Sequence, residues 1–185
     1  MSYKIEPLIT VDDLNLMPED GNRYEVIEGE LFVSRAPNLP HQKISDNLIV
    51  ELKLYLRNNP IGEVWSTPGV IFSEIDGVIP DIAYVSKERL YEVINNSRLT
   101  KAPDLLIEII SSGTDNIRRD RVVKMQLYAR YQVKEYWIVA PEEKIIEVYE
   151  LQNRTFVLAN KFNQTNKLTS SLLPNFNCSL ETIFS

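Results

Sequence analysis

The sequence predicts a mixed α/β (α+β) fold, a central sheet flanked by helices, in one domain spanning residues 1–185. Three observations carry this. Apolar Ile44, Leu48, Ile49, Leu52 and Leu56 recur at helical spacing. The runs LLIEII at 105–110 and EYWIV at 135–139 read as strands buried on both faces. The helical segment 115–131 between them completes a strand–helix–strand unit, most simply a right-handed parallel crossover.

The elements follow in chain order. Residues 10–16 form a short helix with Thr10 as its cap and acids in its first turn, closed by Pro18 and Gly21. Residues 23–35 (RYEVIEGELFVSR) alternate about Glu28-Gly29 and predict two strands joined by a tight turn. Pro37 and Pro40 break the chain, and the helix of residues 42–57 ends at Pro60 and Gly62. Strands are expected at 63–66, 70–73 and 81–85, separated by Pro68-Gly69 and Asp76-Gly77, with a helical excursion at 87–95. Residues 111–114 supply caps for the helix 115–131. A hairpin is predicted for 145–151 and 155–159 across Gln152-Asn153-Arg154, and a last short helix at 180–184.

Composition narrows the function classes. A 44% hydrophobic and 25% charged chain is neither disordered nor collagen-like. No apolar run approaches the roughly 20 residues of a membrane helix. The opening MSYKIEPLITVDDL lacks the basic head and apolar stretch of a signal peptide, so a reducing cytoplasm is the expected location. A single cysteine, Cys178, excludes an internal disulfide and a cysteine-built zinc site; a single histidine, His41, excludes a three-histidine metal centre. Twenty Lys and Arg against 26 Asp and Glu give a net charge of −6. That argues against a protein that coats nucleic acid, though not against a nuclease, whose metal ligands are carboxylates.

The most informative residue is Glu108, an acid in the middle of an apolar strand. An unpaired buried carboxylate costs several kcal/mol, so Glu108 must meet a cationic side chain, hold a proton or bind a metal ion. Asp81 follows Pro80 at the mouth of a strand, where it is either a turn residue or a second acid of a site. The dipeptide recurs at Pro103-Asp104, so it carries little by itself. Together, Asp81 and Glu108 on neighbouring strands can share a hard cation such as Mg²⁺, with the carbonyl of Ile109 as a third ligand. Lys124, on the following helix with Asp120, Arg121 and Tyr128 one turn away, is either a solvated helix lysine or the charge that faces such a site. Arg118, Arg119, Arg121, Lys124 and Arg130 make a local basic stretch, read as a phosphate site or as a solvated face.

YEVIEGEL, a lone histidine ahead of a helix, PDIAYVSKERL, APDLLIEIISSGT and RDRVVKMQLYARYQVKEYWIVAPEEKIIEVYEL together resemble the Uma-type restriction endonucleases of the PD-(D/E)XK nuclease superfamily. The resemblance covers residues 10–158. It implies a restriction-endonuclease-like core and Mg²⁺-dependent cleavage of phosphodiester bonds, with Mn²⁺ as a substitute. Asp81 stands at the place of the PD aspartate and Glu108 at that of the second acid. The superfamily lysine lies two residues after that acid; here Ile110 occupies the position, and the resemblance points to Lys124 on the next helix instead. His41 matches as a general base, a phosphate contact or a helix-start residue. Glu30 is preferred to Glu28 as a site residue, because Glu28-Gly29 forms the turn. Where the family ends its EYWIV strand in Asp-Pro, this chain has Ala140-Pro141.

Two readings follow. The first is a metal-dependent endonuclease acting on DNA, dimeric if it cuts both strands of a symmetric duplex. The second is a non-catalytic nucleic-acid- or protein-binding member of the same fold, favoured by the net charge and the displaced lysine. A hydrolase pairing His41 with a serine stands well below both, since no Gly-x-Ser-x-Gly elbow exists in the chain.

Overall fold

The computed structural model describes residues 7–185. A 3₁₀ turn, Asp12–Leu16, precedes the hairpin strands β1 (Arg23–Ile27) and β2 (Glu30–Ser34), the helix α1 (Leu39–Asn58) and β3 (Gly62–Ser66). Then come β4 (Val70–Ser73), β5 (Asp76–Val78), β6 (Ile82–Ser86), the short α2 (Leu90–Val93), β7 (Ile94–Asn95) and β8 (Arg98–Leu99). The crossover comprises β9 (Leu105–Ile109), α3 (Thr114–Arg118), α4 (Lys124–Arg130) and β10 (Glu135–Ala140). The chain ends with β11 (Ile145–Gln152), β12 (Thr155–Phe162), β13 (Lys167–Leu168), β14 (Cys178–Ser179) and α5 (Leu180–Ile183).

Two six-stranded sheets, ordered β2-β1-β5-β4-β8-β7 and β12-β11-β10-β9-β6-β3, and a two-stranded ladder of β13 and β14 carry the strands. The second sheet is the middle layer. Period-2 alternation sends Leu105, Ile107 and Ile109 of β9 toward α1 and the C-terminal segment, and sends Leu106 and Glu108 toward α4 and the first sheet. Burial on both faces is what the apolar runs at 105–110 and 135–139 predict, and β9 and β10 pair in parallel as expected. Among the described residues no helix is long and apolar enough to cross a membrane.

The differences from the sequence reading have local causes. The single central sheet becomes two, because β4 and β5 pair with each other and with the β1–β2 hairpin. Asp76-Gly77 is not a separating turn but the start of β5. Its buried carboxylate accepts the Glu28 N–H at 2.8 Å and the Tyr131 hydroxyl at 2.7 Å, which makes a polar dipeptide compatible with the interior. Helix α1 begins at Leu39, ahead of residue 42. Pro40 sits in the first turn, where its missing N–H costs nothing, and the Asn38 side chain caps the helix by accepting from the His41 N–H at 2.9 Å. The turn Glu28-Gly29 has both residues at positive φ, 54° and 75°, the geometry of a two-residue hairpin loop.

Candidate active site

Strand register brings the two acids together. β6 runs antiparallel to β9 with Ile82 opposite Ile107. One residue further, Asp81 stands opposite Glu108 in a non-hydrogen-bonded position, the kind whose Cα atoms lie about 4.5 Å apart. The next pair sets Pro80 opposite Ile109. Proline has no N–H to donate, so the Ile109 carbonyl lacks its ladder donor. The Ile109 N–H is taken instead by Asp81 Oδ2 at 2.8 Å. The dipeptide Pro-Asp therefore ends the ladder and leaves two carboxylates and a carbonyl at its end.

Asp81 gathers basic side chains on its other oxygen. Arg23 Nη1 from β1 lies 2.9 Å from Oδ1 and donates to it. His41 Nε2 lies 3.1 Å from the same atom but off the line of a hydrogen bond, and neither ring nitrogen of this buried histidine has a hydrogen-bond partner among the described residues. Burial alone would raise the Asp81 pKa; His41, the Ile109 N–H and Arg23 outweigh it and hold the carboxyl at about 2.

Glu108 is compensated from the helix. Lys124 Nζ lies 2.9 Å from Glu108 Oε1, and the Tyr128 hydroxyl donates to the same oxygen at 2.6 Å. Lys124 is therefore not a solvated helix lysine: it is 1% exposed, between Glu108 at 3% and Glu25 at 2%. Its ammonium also lies 2.8 Å from Glu25 Oε1. Burial, with Asp81, Asp120 and Glu25 close by, outweighs the lysine and pushes Glu108 up to about 8. The same acids outweigh the burial of Lys124 and raise its pKa, so it stays an ammonium at neutral pH.

The helix reaches the site through a widened turn. Between α3 and α4 the five residues Arg119–Val123 are π-helical, and the Lys124 N–H reaches back to the Arg119 carbonyl. Asp120 and Lys124, four residues apart, both lie on the buried side. The Tyr136 hydroxyl, on β10, donates to the Asp120 carbonyl at 3.0 Å and ties the turn to the sheet. Arg119 pairs with the Asp120 carboxylate at 2.9 Å.

A cleft of about 560 Å³ opens over these groups. Its floor carries Asp81, Glu108, Glu25 and Lys124, and its walls carry Arg23, Arg35, Arg119, His41, Ser111, Ser112 and Asn116. Asp81, Glu108, Ile109, Lys124 and His41 thus converge on one cleft. Glu30 does not: it is exposed at the turn end of β2, about 13 Å along the strand from the cleft-lining Ser34. Glu28 is also exposed and pairs with Arg130. The acid the hairpin does supply is Glu25, which the sequence reading missed. Its signal was available, since in RYEVI the residues Glu25 and Ile27 share a strand face and Ile27 belongs to the core.

The fold resembles that of a solved structure, a "putative nuclease belonging to DUF820" from Anabaena variabilis. The TM-score is 0.75 at 20% identity, over 95% of this chain and 97% of that one, a likeness that speaks for the fold alone. No curated protein matches the chain. A family model described as "Uma2: Putative restriction endonuclease" matches residues 11–181, and the chain belongs to this family.

Proposed function

We propose that the protein is a metal-dependent endonuclease that hydrolyses phosphodiester bonds of DNA at the Asp81–Glu108 pair. One observation carries the reading: two opposed strand acids share a cleft floor with a buried ammonium, under a rim of arginines.

The residues fit a hard divalent cation. Glu108 Oε2 accepts no hydrogen bond among the described residues, the Ile109 carbonyl lacks its ladder donor, and Asp81 is held ionised. No three His, Cys, Asp or Glu side chains gather to form a metal cage among the described residues. That suits Mg²⁺, which is commonly held by one or two carboxylates and completes its shell with water and substrate phosphate. Asp81, Glu108 and the Ile109 carbonyl would hold Mg²⁺ or Mn²⁺, which would polarise a phosphoryl oxygen and acidify a bound water.

The chain's own groups do the rest. Lys124, whose pKa the surrounding acids raise, opposes the negative charge that grows on the phosphoryl oxygens. His41 lines the cleft with Nε2 3.1 Å from Asp81 Oδ1, and its buried ring nitrogens would need a small movement to contact a phosphate or accept a proton from water. Arg23, Arg35 and Arg119 face the cleft and supply the positive rim that an acidic chain otherwise lacks. Cutting both strands would call for a two-fold dimer, and a DNA substrate for a cytoplasmic location.

The second reading, a binding member that does not cleave, draws on the same geometry: Asp81 and Lys124 are already paired with protein groups. Supercoiled plasmid incubated with Mg²⁺ or Mn²⁺ separates the two. Nicking that disappears with EDTA and with Glu108→Ala supports cleavage. Plasmid retained but left intact supports binding alone.

A further inference from the structure

We infer that Glu25 is a positioning residue, which holds the Lys124 ammonium in place at the cleft; this rests on the nuclease reading above. Lys124 Nζ lies between Glu108 Oε1 at 2.9 Å and Glu25 Oε1 at 2.8 Å. Glu108 accepts a hydrogen bond from the ammonium and Glu25 meets it as an ion pair; two anions restrict where Nζ can lie more than one does. Lys124 lines the cleft, so its placement sets how the ammonium meets a phosphate oxygen there. The two acids come from different sheets, Glu108 from β9 and Glu25 from β1.

Glu25 is itself held. Its Oε1 accepts the Ile79 N–H at 2.8 Å. Ile79 is two residues before Asp81 and lines the same cleft. Glu25 therefore joins the segment that delivers Asp81 to the helix that delivers Lys124. Without it, the ammonium would keep Glu108 as its one anionic partner and be held in place less firmly. An error of about 1 Å in a charge-stabilising group is enough to cost a hundredfold in rate.

The test is a double-mutant cycle on the full chain, read by plasmid nicking and by melting. Glu25→Ala should lower kcat about 10- to 100-fold with KM for plasmid within about twofold. Glu25→Gln, which keeps an acceptor oxygen for both Lys124 and the Ile79 N–H, should recover most of that loss. In a Lys124→Met background, neither Glu25 substitution should slow the reaction further. Melting gives a readout independent of activity: Glu25→Gln should lower Tm in the wild type but raise it beside Lys124→Met, where it removes a buried acid left without its cation. Losses that multiply, a loss confined to KM, or a Tm shift of one sign in both backgrounds would each overturn the proposal. If the wild type does not cleave at all, the nuclease reading is what fails, and the melting cycle still decides whether Glu25 and Lys124 act as a pair.

Discussion

Two Pro-Asp dipeptides stand one residue ahead of neighbouring strands, and the chain uses them differently. Asp81 leads into β6 and Asp104 into β9. Both are buried, both hold an arginine at 2.9 Å (Arg23 and Arg89), and both accept a backbone N–H at 2.8 Å, from Ile109 and Ser86. Asp104 adds Lys134 at 2.7 Å and does not line the cleft that holds Asp81. The β6–β9 register explains the rest. It sets Asp104 opposite apolar Val85 and Asp81 opposite Glu108. Asp104 is a strand-entry clamp, whereas Asp81 has a second acid across the ladder that its own partners do not neutralise. On the proposed reading, the chemistry lies in the pair of acids and not in the dipeptide.

The largest effect that would break this comparison is on activity. Asp81→Asn is expected to lower metal-dependent nicking by about 10³-fold, since a metal-held charge supplies several kcal/mol. Asp104→Asn should leave the rate of the folded protein within about twofold and instead destabilise it by about 2 kcal/mol, roughly 4–8 °C in Tm, by stripping Arg89 and Lys134 of their anion. Equal rate losses for the two, measured on supercoiled plasmid with protein matched for fold by circular dichroism, would mean that Asp81 too is only a clamp.

The lysines make the same contrast. Lys124→Met leaves buried Glu25 and Glu108 without a cation and should cost about 3–5 kcal/mol of stability, with a rate loss of about 10²- to 10³-fold. Lys134 is half exposed beside Asp104, so Lys134→Met should cost under about 1 kcal/mol and leave the rate alone. Denaturant melts and plasmid assays on the two variants check both halves. A Lys124→Met protein as stable as the wild type would contradict the buried triad.

How far the sequence discloses this differs between fold and site. Burial on both sides leaves an apolar run, so β9 and β10 can be read directly, and the acid inside LLIEII stands out because hydrophobic neighbours make it costly. Helix α1 is legible for the same reason. Asp76 is not, because its burial depends on hydrogen bonds from Glu28 and Tyr131, which are distant in sequence. Glu30 and Glu25 sit in one hairpin and differ only in which end meets the cleft, and that is set by where β1 pairs with β5. Lys124 could be placed on the correct helix face by spacing. Its burial is not legible, because the two acids it meets come from other strands, β1 and β9.

Cation binding sharpens the comparison at the level of stability. Mn²⁺ at about 100 times its Kd should stabilise the wild type by about 2.7 kcal/mol. Asp104→Asn should gain the same increment, whereas Asp81→Asn and Glu108→Gln should gain none. Because Glu108 is pushed up to about 8, protons compete with the cation below that pH, and the Mn²⁺-induced rise in Tm should shrink between pH 8 and 6. Calorimetric melts with and without Mn²⁺ at the two pH values measure this. An increment independent of pH would take Glu108 out of the cation's reach.

In acid the two dipeptides should behave alike. The Asp81 pKa is about 2 in the fold against 3.8 when unfolded. A depressed carboxylate contributes stability that is complete above the unfolded value and lost as pH falls through the folded one, here about 2 kcal/mol between pH 4 and 2. Burial of Asp104 is likewise outweighed, by Lys134, the Ser86 N–H and Arg89, so its contribution has the same sign. Glu108 has the opposite one: raised from 4.5 to about 8, it favours the fold below pH 4.5 and withdraws that support as pH climbs toward 8. Urea melts from pH 2 to 8 should therefore show a shallower acid limb in both Asp81→Asn and Asp104→Asn, and a flatter decline above pH 5 in Glu108→Gln. Should only Asp104→Asn soften the acid limb, the contacts of Arg23, His41 and Ile109 with Asp81 do not hold in solution, and the two dipeptides differ in their burial as well as in what lies across the ladder.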